Sequence, residues 1–483
     1  MKIEKVLIVV PPLTRFHEEG IDIKRPSFEI FRIVTPIEPL TAGAILEEEG
    51  YKVKLFDMGL YRHHRYEKLA KKVNEYKPDM VVLMPAIITF LTSQDWDGKE
   101  VFDMIKSINP NIKTVLTGGY PTNYPQEASK VADYIIKGES DFAITDLCNF
   151  LSNKTANLPE RYSKVDINKL PKPAFHLIDE NQYFKLPEYA KTRYPEKGKK
   201  WRDIVTSRGC PNRCPFCCIY HLRGKQHYRR KSIDRVIEEI KDALDAGIEE
   251  IHFFDDLFAA NERQILEFCG ALKKNNLKFP WLIAQGMHVR PLTYKSLKAM
   301  KETGMYRLIC SFESASDRVL NELIHKGIKL EDHKNIIKWC NELDIELIGM
   351  FVIGMPGETR KELKETVKFA ENPGLDYVVF SIVTPMVGSE LEKTIKDNTL
   401  VNRIIKKTVA LFHTNEFTEE DLGVIRAFDW NRINFSNKEK TNKYKKMFGL
   451  NDKEVRIIRN YSINSFYHYF PNYKGPKSIH DKK

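Results

Sequence analysis

No stretch of this sequence is apolar for long enough to cross a membrane, since a spanning helix needs about 20 predominantly apolar residues. The apolar segment nearest the start, KVLIVV from Lys5 to Val10, is followed at once by two prolines and is too short for a secretory signal. We therefore expect a cytoplasmic protein without a membrane span.

A long basic block is also missing, although the formal net charge is +11. Lysine and glutamate are interspersed, and the densest basic stretch, NKEKTNKYKK at 437–446, has the composition of a solvated helix face. Proteins that bind nucleic acid concentrate their positive charge in one patch or tail. The pattern therefore argues against a nucleic-acid partner.

The eight cysteines lack the even spread of a disulfide framework. Cys148, Cys269, Cys310 and Cys340 stand singly in periodic apolar segments, whereas the other four lie within residues 210–218. Such a cluster in a protein without a secretory signal predicts a metal or redox site.

Residues 1–151 alternate between strand-like and helical patterns. The strand-like segments are KVLIVV, YKVKLFD, MVVLMPAI, KTVLTGG and ADYIIKGE. This alternation predicts an α/β domain with a doubly wound, Rossmann-like parallel sheet. Ligands of such sheets bind beyond the carboxyl ends of the strands, so that edge is the predicted site.

The remainder of the chain divides into three predicted segments. Residues 152–200 contain scattered prolines and form a predicted linker. Residues 201–390 contain six further strand-like segments, each followed by a helical pattern, and predict a partial (βα)6 TIM-type barrel. Residues 391–483 are helical, basic and aromatic, and we expect them to cap the barrel or to contact substrate.

Cys210, Cys214 and Cys217 follow the first predicted barrel strand in the segment RGCPNRCPFCC. Pro211 and Pro215 keep this loop from becoming helical, so the three sulfurs can converge on one centre. A structural zinc site would need a fourth ligand at suitable spacing, and a thioredoxin-like pair would leave Cys210 without a role. An iron–sulfur cluster with one iron open to substrate is the favoured interpretation.

The spacing CxxxCxxC, with an aromatic residue before the last cysteine, resembles the radical S-adenosylmethionine (SAM) superfamily. Members of that family hold a 4Fe-4S cluster and cleave SAM to a 5'-deoxyadenosyl radical. The segments EEIHFFDD, ICSFESAS, GMFVIGMPGET and TPMVGSEL resemble further family motifs in the expected order, although Ser311 stands where glycine is commoner. The resemblance assigns no catalytic side chain. It implies cluster ligands Cys210, Cys214 and Cys217, and SAM contacts from Phe216, Asp255, Asp256, Glu313 and Gly354.

The segments 36–57 and 117–141 resemble the cobalamin-binding domain that precedes the barrel in one branch of this superfamily. The DxHxxG motif, which supplies a histidine to cobalt in other cobalamin proteins, is missing, so we expect no cobalt ligand from it. A domain that keeps the fold but has lost the cofactor is the alternative. The resemblance implies cobalamin contacts from Pro11, Pro85, Thr89, Gly118, Gly119, Thr122, Gly138 and Glu139.

Residues 1–390 together resemble the cobalamin-dependent radical SAM enzymes, most of which are methylases. This implies methyl transfer from methylcobalamin to an unactivated carbon, or to phosphorus, of a small-molecule or natural-product substrate. It also implies an electron donor such as ferredoxin or flavodoxin. Radical cyclisation or rearrangement without methylation, and a non-enzymatic cobalamin-sensing regulatory protein, are the alternatives. A methylthiotransferase is disfavoured, because that class carries further cluster cysteines where Cys148 stands alone.

The basic run Arg229, Arg230 and Lys231 precedes a predicted helix. We expect these side chains to be solvated at the helix entrance. Part of a basic pocket for a phosphorus-containing substrate is the alternative.

Overall fold

The structure, a computed structural model, describes residues 2–12, 34–88, 98–155, 165–185, 197–224, 228–396, 403–404 and 412–481. These residues divide into two compact units. The first unit contains the described residues up to 185 together with 218–224 and 228–231. The second unit contains residues 197–217 and the described residues from 232 onward.

A five-stranded sheet forms the centre of the first unit. All of its strands are parallel and follow the order β2-β1-β3-β4-β5, so the order reverses at β1 and β3. All five segments predicted as strands contribute to it. The strands are β1 Lys5–Val10, β2 Lys52–Asp57, β3 Met80–Leu83, β4 Lys113–Leu116 and β5 Tyr134–Ile135.

The helices of the first unit connect these strands and cover the sheet. The strands β1 and β3 are almost wholly buried, as expected for runs of valine, isoleucine and leucine covered on both faces. The helices are α1 Ile37–Glu48, α2 Arg65–Tyr76, α3 Gly98–Ile108, α4 Gly119–Asn123, α5 Pro125–Ala128, α6 Ala143–Leu151 and α7 Glu180–Phe184, with 3₁₀ turns at Met58–His64 and Phe175–Leu177.

The chain enters the second unit with the strands β6 Trp201–Ile204 and β7 Ser207–Arg208. It returns to the first unit for the short helix α8 Ile219–Leu222 and the strand β8 Arg229–Arg230. The cysteine loop therefore ends at the point where the chain leaves the second unit.

A parallel sheet in chain order forms the second unit, with the order β6-β9-β10-β12-β13-β14 and with β11 paired to β12. This is the predicted partial barrel, and the fold prediction is confirmed. Its helices begin at side-chain caps such as Ser232, Asn261 and Thr359, which accept backbone N–H bonds. The strands are β9 Glu250–Phe253, β10 Trp281–Ile283, β11 Met287–His288, β12 Met305–Glu313, β13 Glu346–Ile353 and β14 Tyr377–Ile382. The helices are α9 Ile233–Asp245, α10 Glu262–Lys274, α11 Tyr294–Glu302, α12 Leu330–Glu342, α13 Arg360–Ala370 and α14 Glu390–Lys396, with a π turn at Val319–Leu323.

The C-terminal region is largely helical and packs on β14 through aromatic side chains. Trp430 donates its Nε1–H to the Tyr377 hydroxyl at 3.2 Å, and Tyr444 lies against the same ring. The region contains β15 Arg403–Ile404, β16 Phe412–His413, α15 Glu419–Val424, α16 Trp430–Asn434, α17 Lys438–Phe448 and α18 Asp452–Tyr469, with a π turn at Ile425–Asp429 and a 3₁₀ turn at Ile479–Asp481.

Candidate active site

Asp255, just beyond β9, fixes the chain that leads into the cysteine loop. Its Oδ1 accepts hydrogen bonds from the backbone N–H and hydroxyl of Thr206, at 2.8 and 3.0 Å, and from the backbone N–H and hydroxyl of Ser207. Asp256 Oδ2 accepts the N–H of Gly209 at 2.8 Å, where the backbone has a positive φ of 80°. The carboxylates of β9 thus set the path of the residues immediately before Cys210.

Asp255 also keeps one carboxylate oxygen unused. Among the described residues, Oδ2 is buried and has no hydrogen-bond partner, and burial raises the pKa of this carboxyl group to about 6. An unpartnered buried oxygen beside the cysteine loop suits a polar group of a bound ligand. The predicted contacts of Asp255 and Asp256 with SAM remain predictions, and loop anchoring is the function that the geometry shows.

The three cysteines of the motif differ from the other cysteines in exposure. Cys210, Cys214 and Cys217 are half-buried, whereas the other five are buried, and all eight are free of disulfide bonds. Within the described ranges, no three His, Cys, Asp or Glu side chains converge closely enough to hold a single metal ion. Their partial exposure leaves the three motif thiols accessible to a cluster, whereas the other five cysteines are buried.

Two contacts hold the cysteine loop in a compact turn. The N–H of Cys217 donates to the carbonyl of Cys214 at 3.0 Å, and the N–H of Leu391 donates to the carbonyl of Pro215 at 2.8 Å. Burial raises the pKa of the Cys214 thiol to about 11 and raises that of Cys210 as well. These thiols keep their protons until iron displaces them, because metal ligation requires the thiolate.

Lys326 is a site residue that sequence reasoning missed. Its ammonium group is 5% exposed and lies 2.8 Å from Glu313 Oε1, at the end of β12. Burial lowers the pKa of Lys326, but the charge of the Glu313 carboxylate and its hydrogen bond outweigh that effect and raise the pKa above its ordinary value. A permanent positive charge therefore stands beside two of the predicted cluster ligands.

Glu313, a predicted SAM contact, has a left-handed backbone with φ of 66°. This conformation is costly for a residue with a side chain and is concentrated at functional sites. The carbonyl of Lys326 in turn accepts a hydrogen bond from Arg290 Nη2 at 2.8 Å, which fixes the loop that carries the lysine. The contact of Glu313 with SAM stays a prediction.

The other two predicted SAM contacts lie among apolar side chains. Phe216 and Cys214 pack against a buried cluster that includes Val319, Ile324 and Met355. Gly354 has φ of 85°, and a Cβ there would lie 2.6 Å from the Leu422 side chain of α15. The glycine thus permits close approach of α15, and its predicted contact with SAM remains a prediction.

The loop after β13 buries a carboxyl group that sequence reasoning did not single out. Glu358 Oε2 accepts the N–H groups of Gly354 and Met355 at 2.8 and 3.1 Å. Among the described residues Oε1 is buried without a partner, and burial raises the pKa of Glu358 to about 8. The group is therefore mostly neutral at pH 7.

The raised pKa of Glu358 predicts a stability that depends on pH. Between its ordinary pKa of 4.5 and the folded value of about 8, only the unfolded chain loses the proton, so stability falls as pH rises through this window. The slope is at most about 1.4 kcal/mol per pH unit. Glu358→Gln keeps the two accepted hydrogen bonds and should lose this pH dependence of the free energy of unfolding. Urea unfolding from pH 5 to 9 measures the change. Glu365→Gln, a partly exposed neighbour on α13, is the control and should follow the wild type.

One face of the barrel sheet is partly open. Ser311, Met350 and Val379 are register neighbours on β12, β13 and β14, and each is partly exposed between buried residues. Val352 and Ser381 repeat this pattern two residues further along β13 and β14. The five side chains form a continuous, mainly apolar surface with two hydroxyl groups.

His288 on β11 is the register partner of Ser311 and therefore shares its face of the sheet. Its Nδ1 accepts the N–H of Arg290 at 3.0 Å, which leaves the proton on Nε2. Among the described residues Nε2 is buried without a partner, and burial together with the charges of Lys326 and Arg290 lowers the pKa of His288 to about 3. A neutral N–H donor is thus available on the face that carries the open surface.

In the first unit, several predicted cobalamin contacts meet at the carboxyl edge of the sheet. Thr122 Oγ1 donates to the carbonyl of Gly118 at 2.7 Å and accepts the N–H of Gly138 at 2.9 Å, which joins the loops after β4 and β5. Pro85, after β3, lies directly against Gly118. Gly119 begins α4, Pro11 follows β1 and is buried, and Thr89 lies outside the described residues.

The edge retains one polar atom without a partner. Thr117, immediately after β4, has a buried hydroxyl with no hydrogen-bond partner in the described part of the chain. Glycines stand in the loops after β4 and β5, at the carboxyl edge where ligands of such sheets bind. These features fit a bound cobalamin, although the individual contacts remain predictions.

Glu139 lies at the same edge, but its carboxylate is occupied within the unit. Arg229 donates Nη1 and Nη2 to its two oxygens at 2.7 Å each, and Arg223 Nη1 lies 3.4 Å away. Arg223 Nη2 also donates to Glu38 Oε1 at 2.7 Å. The expectation that Arg229 is a solvated helix entrance is therefore wrong, because a buried carboxylate from a distant part of the sequence attracts it. We call these four residues the edge ion network.

Gly118 offers a test of the sheet edge. Its φ of 98° and ψ of −155° favour glycine alone, and a Cβ would lie 2.5 Å from Pro85 Cγ. Gly118→Ala should displace Pro85 and weaken hydroxocobalamin binding at least about tenfold, since each 1.4 kcal/mol of misfit is a factor of ten. Binding is measured by absorbance titration. Gly50→Ala is the matched control, because Gly50 has φ of 85° and open space around its Cβ position. Equal affinities in the two variants would contradict the assignment.

A doubly wound sheet of this order, followed by a partial barrel with a three-cysteine loop after its first strand, defines the class of cobalamin-dependent radical SAM enzymes. The Radical SAM superfamily profile matches residues 204–370, and the B12 binding domain profile matches residues 31–147. The B12 match contains β2 to β5 of the first sheet, and the Radical SAM match contains β9 to β13 of the second.

Similar proteins agree with this class. An uncharacterized methyltransferase of Pyrococcus horikoshii is 30% identical over 87% of this chain and 90% of its own. Cytidylyl-2-hydroxyethylphosphonate methyltransferase of Streptomyces wedmorensis is 27% identical over 79% of this chain and 82% of its own. The cobalamin-dependent SAM radical enzyme OxsB, solved with aqua-cobalamin and SAM, shares the fold with a TM-score of 0.68 at 17% identity, over 98% of this chain and 72% of its own.

The chain belongs to the radical SAM superfamily, in the branch that carries a B12 binding domain. The predicted cofactors, SAM, a 4Fe-4S cluster and cobalamin, are confirmed as those of this family. No described helix is long and apolar enough to cross a membrane.

Proposed function

We propose that the protein transfers a methyl group from methylcobalamin to an unactivated carbon, or to phosphorus, of a small-molecule substrate. One observation carries this proposal: a single chain combines the half-buried three-thiol loop with an intact cobalamin-type sheet edge. The relatives from Pyrococcus and Streptomyces, both named methyltransferases, support the same reaction.

When bound, the cofactors supply a 5'-deoxyadenosyl radical that removes hydrogen from substrate and a cobalt-bound methyl group. Cys210, Cys214 and Cys217 would hold the cluster, and Asp255 and Asp256 keep their loop in shape. Lys326 places a positive charge beside the thiolates. The proposed role of these side chains is to orient the reactants and to exclude water.

The substrate surface that we propose is the open face of the barrel sheet. Met350, Val352 and Val379 would pack against an apolar part of the substrate, while Ser311 and the N–H of His288 would bind its oxygen atoms. A small organic molecule with an apolar carbon next to a hydroxyl, carboxylate or phosphonate group fits this surface. We also propose a ferredoxin or flavodoxin as the electron donor.

The test is a product assay on anaerobically purified protein, reconstituted with iron, sulfide and hydroxocobalamin and supplied with trideuteromethyl-SAM and a strong reductant. Bound cobalamin with release of both 5'-deoxyadenosine and S-adenosylhomocysteine would support methyl transfer. A labelled methyl group in a trial phosphonate or carboxylate substrate would define the acceptor.

The same assay separates the alternatives. 5'-Deoxyadenosine without S-adenosylhomocysteine would instead favour radical cyclisation or rearrangement. Cobalamin binding with neither product and no cluster would favour a cobalamin-sensing regulatory protein. The Cys214→Ala variant, carried through the same reconstitution, gives the background for both products.

A further inference from the structure

The segment that follows the cysteine loop belongs to the first unit, not to the barrel. Cys217 is the last residue of the loop in the second unit, and residues 218–224 and 228–231 belong to the first. Within that unit, α8 packs against α4, the helix that begins at Gly119. The chain therefore runs from a predicted cluster ligand directly into contact with the cobalamin edge.

The edge ion network holds this segment in place. The Arg223 guanidinium is 3% exposed and bridges Glu38, which follows β1, to Glu139, which follows β5. Arg229 adds two hydrogen bonds to Glu139 and one to the carbonyl of Val165 at 2.7 Å. Both arginines come from the post-cysteine segment, and both carboxylates come from the sheet edge.

The network also orders a third loop of the same edge. Glu38 Oε2 accepts the N–H of Ile88, after β3, at 2.9 Å, and the N–H of Glu38 donates to the carbonyl of Ala86. The start of α1 and the loops after β3 and β5 thus share one set of charges. Glu38 and Glu139 are buried, so losing Arg223 or Arg229 removes part of the positive charge that stabilises these carboxylates.

We propose that Arg223 and Arg229 link cluster assembly to cobalamin binding, an inference that rests on the proposed function. A cluster bound by Cys217 fixes the start of the segment, which lowers the entropy lost when the arginines dock on Glu38 and Glu139. Docked arginines preorganise the loops that receive cobalamin. Arg223 and Arg229 are positioning residues, and by linkage the effect is reciprocal, so bound cobalamin favours cluster assembly by the same factor.

The first measurement compares the hydroxocobalamin affinity of the cluster-loaded protein with that of the Cys210→Ala/Cys214→Ala/Cys217→Ala variant, by absorbance titration without oxygen. We expect about tenfold tighter binding to the loaded protein, within the usual range of about 5–150-fold for coupled sites. Hydrogen exchange of residues 218–224 should slow when the cluster is present, even before cobalamin is added.

Arginine variants then test the network itself. Arg223→Lys keeps the charge but loses the bridge between two carboxylates, and we expect the tenfold difference to shrink to about twofold or less. Glu139→Gln removes the carboxylate charge that the arginines bind, and it should reduce the affinity difference to the same extent. Arg318→Lys is the matched control, because Arg318 also makes a two-pronged ion pair, with Glu362, inside the second unit. In Arg318→Lys, the difference in hydroxocobalamin affinity between loaded and cluster-free protein should equal that of the wild type.

The outcomes separate this inference from the proposed function. No hydroxocobalamin binding to the loaded wild type or to the triple cysteine variant would overturn both. Equal affinity for loaded and cluster-free protein, or a full difference in folded Arg223→Lys, would overturn the linkage and leave methyl transfer standing. Thermal unfolding of each variant identifies loss of fold. If an arginine variant fails to fold, the comparison of the loaded wild type with the triple cysteine variant decides the proposal.

Discussion

Cys214→Ala should lose the iron–sulfur cluster and reduce SAM cleavage to background. The thiol is half-buried in a turn closed by the Cys217 N–H, and its removal leaves only two of the three predicted cysteine ligands. The loss should exceed the roughly 10–100-fold effect of removing a residue that only supports a metal ligand. Iron content, the absorption near the cluster's visible bands and 5'-deoxyadenosine release measure the outcome. Cys210→Ala and Cys217→Ala should behave alike.

Two other cysteines provide controls for this prediction. Cys269 is buried on α10, where the hydroxyl of Thr303 lies 3.7 Å from its sulfur, and Cys269→Ala should retain the cluster. Cys218 is buried in the first unit, although it is adjacent to Cys217 in sequence. Cys218→Ala should therefore also retain full iron content. Loss of the cluster in Cys218→Ala, with retention in Cys217→Ala, would show that Cys218 is the cluster ligand and Cys217 is not.

Lys326→Met should cause the second large effect, on both the cluster and the stability of the barrel. Removing the ammonium leaves Glu313 buried without its partner, which costs about 3–5 kcal/mol. A cluster held by three thiolates gains negative charge on reduction, so loss of a neighbouring cation should lower its reduction potential. Redox titration followed by electron paramagnetic resonance measures the potential, and thermal unfolding measures the stability.

A double variant separates these two effects. Glu313→Gln together with Lys326→Met removes the unpaired charge and should restore much of the stability, while the potential stays low. Lys326→Arg keeps the positive charge and should keep the potential near the wild-type value. An unchanged potential in folded Lys326→Met protein would show that the charge does not act on the cluster.

The sequence predicted the architecture because its signals are local. KVLIVV and MVVL contain continuous apolar runs rich in valine, which are typical of strands buried on both faces, and the predicted segments of both sheets appear as strands. The cysteine loop was recognisable because three ligand-type residues and two prolines lie within nine positions. In each case the information lies within a few residues of where it acts.

The missed residues depend on partners far along the chain. Nothing near HKGIK indicates that Lys326 pairs with Glu313 beside the cysteine loop, and nothing near YRRK indicates that Arg229 turns toward Glu139, 90 residues earlier. His288 stands in a short strand whose neighbour, Ser311, becomes known only from the register. The departure of Ser311 from the glycine usual in the family is visible in the sequence, but it did not predict the open face on which Ser311 lies.

The anchoring of the cysteine loop by Asp255 has a consequence for biosynthesis. The four donors of Thr206 and Ser207 reach their common acceptor across a separation of 48 and 49 residues, and Lys326 is synthesised later still. A nascent chain that ends before β9 lacks this acceptor, so nothing in Asp255 or Asp256 yet holds the residues before Cys210. We therefore expect the cysteine loop to take its folded path only after β9 has been synthesised.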